Sequence, residues 1–171
     1  ASVHIKRPLR RDDFRLRTSL QGKQVLCNVI GVIENQAPTK HLQVSLSVRE
    51  GEVQLSPGLA KVALVERHHS TGNIQLGLVS GFGFTEGCAI ASTVAHDCHH
   101  MLVVGSDETD MATAANLLRE IGGGQVVVSQ GQVIGLIELP IGGLMSTEKA
   151  VAVARKATTV VEGLGNGCVA G

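Results

Sequence analysis

The chain predicts an α+β domain, with mixed or antiparallel sheets of about nine strands and two main helices. Three observations predict it. Short runs rich in Val, Ile and Leu recur along the 171 residues, and glycine-bearing turns separate them. Only two segments show helical periodicity, both in the second half. The elements therefore depart from strict β-α-β alternation. A chain of this length fits one domain over residues 1–171, with room for a sizeable core.

In order, residues 1–20 read as an N-terminal arm. Lys6, Arg7, Arg10, Arg11, Arg15 and Arg17, diluted by Asp12 and Asp13, make it a solvated arm or docking edge. Gln24–Ile33 is a strand rich in Val and Ile. Leu42–Val48 alternates apolar and polar side chains, as a half-buried strand does. Arg49-Glu50-Gly51-Glu52 then makes a turn before Val53 and Leu55. The device recurs at Gln130-Gly131, between strands Gln125–Ser129 and Gln132–Leu139, where Gly supplies a positive φ. Lys61–Glu66, Ile74–Val79, Ala89–Val94 and Met101–Gly105 are further strands, with turns at Gly72, Gly81, Gly83 and Gly87. Ser106 caps a first helix, and Asp107 and Glu108 complement its dipole. Met111, Ala114, Ala115, Leu118 and Ile121 form its apolar stripe, and Gly122-Gly123-Gly124 ends it. A second helix, capped by Ser146, runs from about Thr147 to Val161 with Ala150, Val151, Ala154, Ala157 and Val161 inward. The tail after Gly163 reads as frayed.

Composition narrows the function. The chain has no Trp or Tyr, and its aromatic residues are Phe14, Phe82 and Phe84. The core is therefore aliphatic, and nucleic-acid binding has little to stack bases on. Zero formal net charge gives no field to attract a phosphate backbone or an acidic membrane. Cys27, Cys88, Cys98 and Cys168 show no CxxC pairing. Cys27 and Cys88 sit in strand-like runs as small hydrophobes, so the thiols are expected reduced. With no signal peptide and no apolar run of about 18 residues, the expectation is a cytoplasmic protein. The chain opens on Ala1 without Met, as a processed chain or a fragment would.

The candidate chemistry clusters in two places. Arg67-His68-His69 follows an apolar strand, either as an exposed strand end or as imidazoles and a guanidinium at a site edge. His96-Asp97-Cys98-His99-His100 could be an HExxH-like helical pair. The strand-like flanks instead favour a tight connection. There His96 and Asp97 could pair, orienting a base or a metal ligand. A hydrogen-bond network, a ligand pocket and a metal site built from His96, Asp97, His99 and His100 all remain open. Ser92, His96 and Asp97 supply the composition of a hydrolytic triad, but no GxSxG elbow or oxyanion donor accompanies them. Gly122–Gly124 follows a helix and precedes a strand, the reverse of a phosphate loop.

Residues 64–147 closely resemble the C-terminal domain of bacterial adenine deaminase. The resemblance is carried by Arg67–Asn73, Gly81–Gly83, Gly87–His99, Gly122–Val128 and Leu139–Ser146. Asp13-Phe14 and Val29–Ile33 match more loosely. Cys98 stands where the family has Ser, His100 where it has Asn, and Gly142 where it has Ala. The family commonly continues past the position of Gly171 with a Pro-containing apolar segment. The resemblance implies hydrolytic deamination of adenine to hypoxanthine and ammonia in purine salvage, by an amidohydrolase whose metal, manganese or another divalent ion, sits in an N-terminal barrel. That barrel precedes residue 1, and this chain has no HxH strand-end motif. On this reading the chain completes or covers the active site of its own N-terminal barrel, with adenine as the substrate, and the protein is a homo-oligomer. Arg67, His68, Ser92, His96, Asp97 and His99 are then the pocket or interface residues. The alternatives are a stand-alone nucleobase- or metal-binding module and an oligomerisation scaffold, both without catalysis.

Overall fold

The computed structural model describes residues 2–84 and 87–169. Among them the expected α+β architecture is present as one mixed sheet and two helices. The strands are β1 (Gln24–Val32), β2 (Thr39–Arg49), β3 (Glu52–Val53), β4 (Leu59–Val65), β5 (Ile74–Ser80), β6 (Cys88–Ser92), β7 (Met101–Gly105), β8 (Gly124–Ser129) and β9 (Gln132–Glu138). The helices are α1 (Glu108–Ile121) and α2 (Ala150–Gly167). Across the sheet the order is β3-β2-β1-β5-β4-β7-β6-β8-β9. Neighbours are antiparallel except β1 and β5, which run parallel and pair Ile30 with Val79 and Gly31 with Ser80. Both predicted two-residue turns form. Glu50 and Gly51 (φ 51° and 76°), and Gln130 and Gly131 (51° and 77°), all take the left-handed backbone that such hairpins require.

α1 packs its stripe of Met111, Ala114, Ala115 and Leu118, all fully buried, on one face of β6, β7 and β8. Its cap is Asp107 rather than Ser106. The Asp107 carboxylate accepts from the N–H groups of Thr109 and Asp110, whereas the Ser106 hydroxyl, just after β7, accepts from Cys88 N at the start of β6. Gly122, with φ 87°, closes the helix.

α2 covers the opposite face of β8 and β9, but turned from the expected orientation. Val153, Ala157, Val160 and Leu164 pack inward, while Val151 and Val161 are 65% and 69% exposed. The helix has apolar residues on both sides, and glycines choose between them. A Cβ on Gly135 would lie 2.7 Å from Val160 Cα, and one on Gly163 would lie 2.8 Å from Ile134 O. Helix and strand therefore meet backbone to backbone along that line. Ser146 does not cap α2. Its hydroxyl binds Glu148 N, and Lys149 occupies the cap position without a side-chain bond.

Three further expectations are corrected. The expected frayed tail is helical to Gly167, and Cys168 forms a disulfide with Cys88. Residues 170 and 171 of that tail lie outside the described residues. The thiols are thus not all free, because α2 delivers its C-cap onto the buried start of β6. The N-terminal arm is not wholly solvated either. Its charges face water, but Val3, Ile5, Leu9 and Phe14 are buried in the α1-side core. Leu9 exchanges both backbone bonds with the Asn116 side chain on α1.

Candidate functional site: the loop end around Arg67

Strand register decides which loops meet. Val65 pairs with Ile74 and Met101, Ser92 with Leu102 and Gln125, and Gly124 with Glu138. The connections 66–73 and 93–100, the Gly122-Gly123 corner and the segment 139–146 therefore gather at one end of the sheet.

Arg67 holds them together. It continues the inward alternation of Lys61, Ala63 and Val65, so its side chain enters the interior and is 2% exposed. Nε donates to His99 O (2.6 Å), Nη1 to Ser2 O (2.6 Å), and Nη2 to Gly142 O (3.0 Å) and Thr93 O (3.3 Å). One guanidinium, with its planar fork of donors, thus ties its own loop to three other segments. Its partners are carbonyl dipoles, and burial pulls its pKa down from the ordinary value without discharging an arginine.

The packing around it is backbone-tight. A Cβ on Gly143 would lie 2.9 Å from Arg67 Nη1, whereas one on Gly142 would meet nothing within 4 Å. Gly142 has φ 66°, so a side chain there would be strained despite the open space. Thr93, fully buried, donates to Gly143 O (2.7 Å) and accepts from Gly124 N (2.8 Å).

Beside it, Glu66 organises the loop that carries His68 and His69. Its carboxylate accepts from the N–H groups of His68 (2.5 Å), His69 (2.8 Å) and Thr71 (2.9 Å), and from the Thr71 hydroxyl. Burial alone would raise its pKa, but these four donors outweigh burial and hold it at about 2.

The histidines divide between inside and outside. The 96–98 turn is the tight connection expected, closed by His99 N donating to Ala95 O (2.8 Å). Asp97 and His99 have φ of 75° and 50°, a left-handed region seldom used by residues other than glycine. His96 Nδ1 lies 3.1 Å from Asp97 Oδ1, but the two side chains are 94% and 90% exposed, where such a pair contributes little. His68 meets the Cys98 carbonyl through Nε2 at 3.2 Å, and its ring lies 4.8 Å from that of His100. Nδ1 of His99 and Nδ1 of His100 are buried without a hydrogen-bond partner. Ser92 contacts Val94 N and the Gln125 amide.

The end therefore brings Arg67, His68, His99 and His100 together and leaves His96 and Asp97 projecting outward. Among the described residues, no group of three or more His, Cys, Asp or Glu is arranged to hold a metal ion. His96, Asp97, His99 and His100 are not a ligand set that fits manganese or another divalent ion. A cleft lined by Ile5, Lys6, Arg7, Val65, Thr71 and Ile74 opens under the N-terminal segment, and no candidate residue lines it.

The match with known proteins is extensive. Residues 36–170 fit the family model described as the adenine deaminase C-terminal domain. The chain belongs to that family. It is 50% identical over 163 residues to an adenine deaminase of Roseobacter denitrificans, covering 95% of this chain and 27% of the relative. Adenine deaminase 3 of Rhizobium meliloti is 48% identical over 165 residues, covering 95% and 28%. An adenine deaminase of Moorella thermoacetica is 47% identical over 161 residues, covering 93% and 27%. The chain thus spans little more than a quarter of the length of these relatives. In this adenine deaminase C-terminal domain, sequence reasoning missed Glu66, Thr93 and Gly143 as builders of the loop end. The available signal was their position, each adjacent in sequence to a residue already singled out: Arg67, Ser92 or Gly142.

Proposed function

We propose that this chain serves as the C-terminal, non-barrel domain of an adenine deaminase, which hydrolyses adenine to hypoxanthine and ammonia in cytoplasmic purine salvage. It completes or covers the active site of an amidohydrolase barrel lying outside these residues. The observation that carries the reading is the partial span: relatives named adenine deaminase are matched over 27% of their length, and the described residues hold no metal cage. A divalent ion such as manganese, held by the barrel, supplies the activated water. Exposed His68, His96 and Asp97 present polar groups to that barrel. Arg67 is a positioning residue that sets the loops carrying them, and Ser92 and His99 are the remaining pocket or interface residues of this reading. The isolated chain is inactive on this reading.

The test is conversion of adenine by this chain alone and mixed with a separately produced barrel, both with added manganese. Activity only in the mixture supports the reading, and turnover by the chain alone overturns it. In the complete enzyme, His96→Ala and Asp97→Ala are expected to lower kcat/KM about tenfold or more at unchanged melting temperature. Wild-type kinetics in both variants would remove the pocket role.

A further inference from the structure

We propose that the free edge of β2 pairs with the same edge of a second copy of this chain, antiparallel about Gln43. β2 runs from Thr39 to Arg49, yet β3 and Gln54 after it cover its outer side only from Ser47 to Arg49. The direction of the backbone groups follows from two bonds. Val48 N donates to Lys23 O, on the β1 side, and Gln54 N donates to Ser47 O, on the outer side. Antiparallel strands alternate these directions residue by residue. The N–H and C=O groups of His41, Gln43 and Ser45 therefore point away from β1, towards an edge that no described strand occupies.

Such an edge normally carries a device against pairing, such as a charge, a proline or a bulge. Between His41 and Val48 the sequence is His-Leu-Gln-Val-Ser-Leu-Ser-Val, without charge or proline. β1 and β2 pair through nine consecutive residues without a register shift.

A second copy matches this edge better than an arbitrary strand would, because the edge is self-complementary. A two-fold axis at Gln43 sets Gln43 against Gln43 of the second copy, His41 against Ser45, Lys40 against Leu46, and Leu42 against Val44. No like charges face each other, and every outward backbone group between His41 and Ser45 gains a partner. Such a contact is isologous and closed, so it makes dimers and not fibres. It also extends a core. Leu42, 36% exposed, pairs across the strands with Val29, which belongs to the cluster holding Val44, Leu46 and Leu78, and Val44 of the second copy would cover it. The pairing is independent of the deaminase reading.

Sedimentation velocity of the chain across a dilution series tests it, with Gln43→Pro and Gln43→Thr. Proline removes one outward N–H and leaves the β1 bonds, because Gln43 donates away from β1. The expected result is a dimer for wild type and Gln43→Thr, and a dissociation constant raised about tenfold or more (~1.4 kcal/mol) for Gln43→Pro. Unchanged circular dichroism would show that the fold is intact. Residue-resolved hydrogen exchange gives a second reading without any variant. The amides of His41, Gln43 and Ser45 should slow with rising concentration, while those of Leu42 and Val44 stay constant. A monomer at every concentration, a Gln43→Pro dimer as tight as wild type, or exchange at these three amides independent of concentration would each overturn the proposal.

Discussion

The central strands and the β1–β2 hairpin share one sheet but differ in what covers them. On β8, the consecutive residues Val126, Val127 and Val128 are all fully buried, because α1 lies on one face and α2 on the other. On β1, Leu26 and Ile30 are 63% and 47% exposed, while Val29 between them is buried. Continuous apolar sequence marks a strand covered on both faces, and alternation marks one covered on a single face. The difference shows that coverage by helices, rather than membership of the sheet, sets how much a side chain contributes to stability.

The largest expected break in that contrast is at Arg67. Arg67→Met strips donors from four carbonyls at the covered end and should cost about 3–5 kcal/mol in denaturant unfolding. Leu26→Ser on the hairpin should stay within about 0.5 kcal/mol. Equal losses at the two positions would erase the distinction. Cys168→Ser comes next. It releases an 80-residue loop and should lower stability by about 2–4 kcal/mol, measurable as a drop in melting temperature matched by wild type under reducing conditions. A variant melting with oxidised wild type would show that packing alone holds α2.

The smallest effect sharpens the comparison through pH. The folded pKa of Glu66, about 2, lies below its ordinary 4.5. Its stabilisation is therefore complete above the ordinary value and is lost as pH falls through the folded one. The unfolding free energy of wild type should exceed that of Glu66→Gln by its full margin above about pH 5, and the gap should close towards pH 2. A gap independent of pH would mean that the loop does not depend on the carboxylate's charge.

Most strands were legible, because period-two alternation and the Glu50-Gly51 and Gln130-Gly131 turns are local signals. α1 was legible for the same reason, down to Gly122. What escaped were long-range choices. Both faces of α2 read as apolar, and only the approach of Gly135 and Gly163 to the opposing backbone settles which turns inward. The Cys88–Cys168 link joins positions that no spacing rule connects. At the loop end the Arg-His-His and His-Asp segments stood out, but Thr93 acts through backbone groups of other segments, and Glu66 through the N–H groups of its own loop. The outward direction of His96 and Asp97 depends on the left-handed residues of one tight turn.

The N-terminal segment is bound by residues made much later. Leu9 waits for Asn116, 107 positions on, and Ser2 donates to Pro140 O, 138 positions on. During synthesis the first part of the domain to leave the ribosome is thus among the last to find its place. Until Pro140 emerges, Val3, Ile5 and Phe14 have no finished core to enter, and the nascent chain carries them as exposed apolar surface.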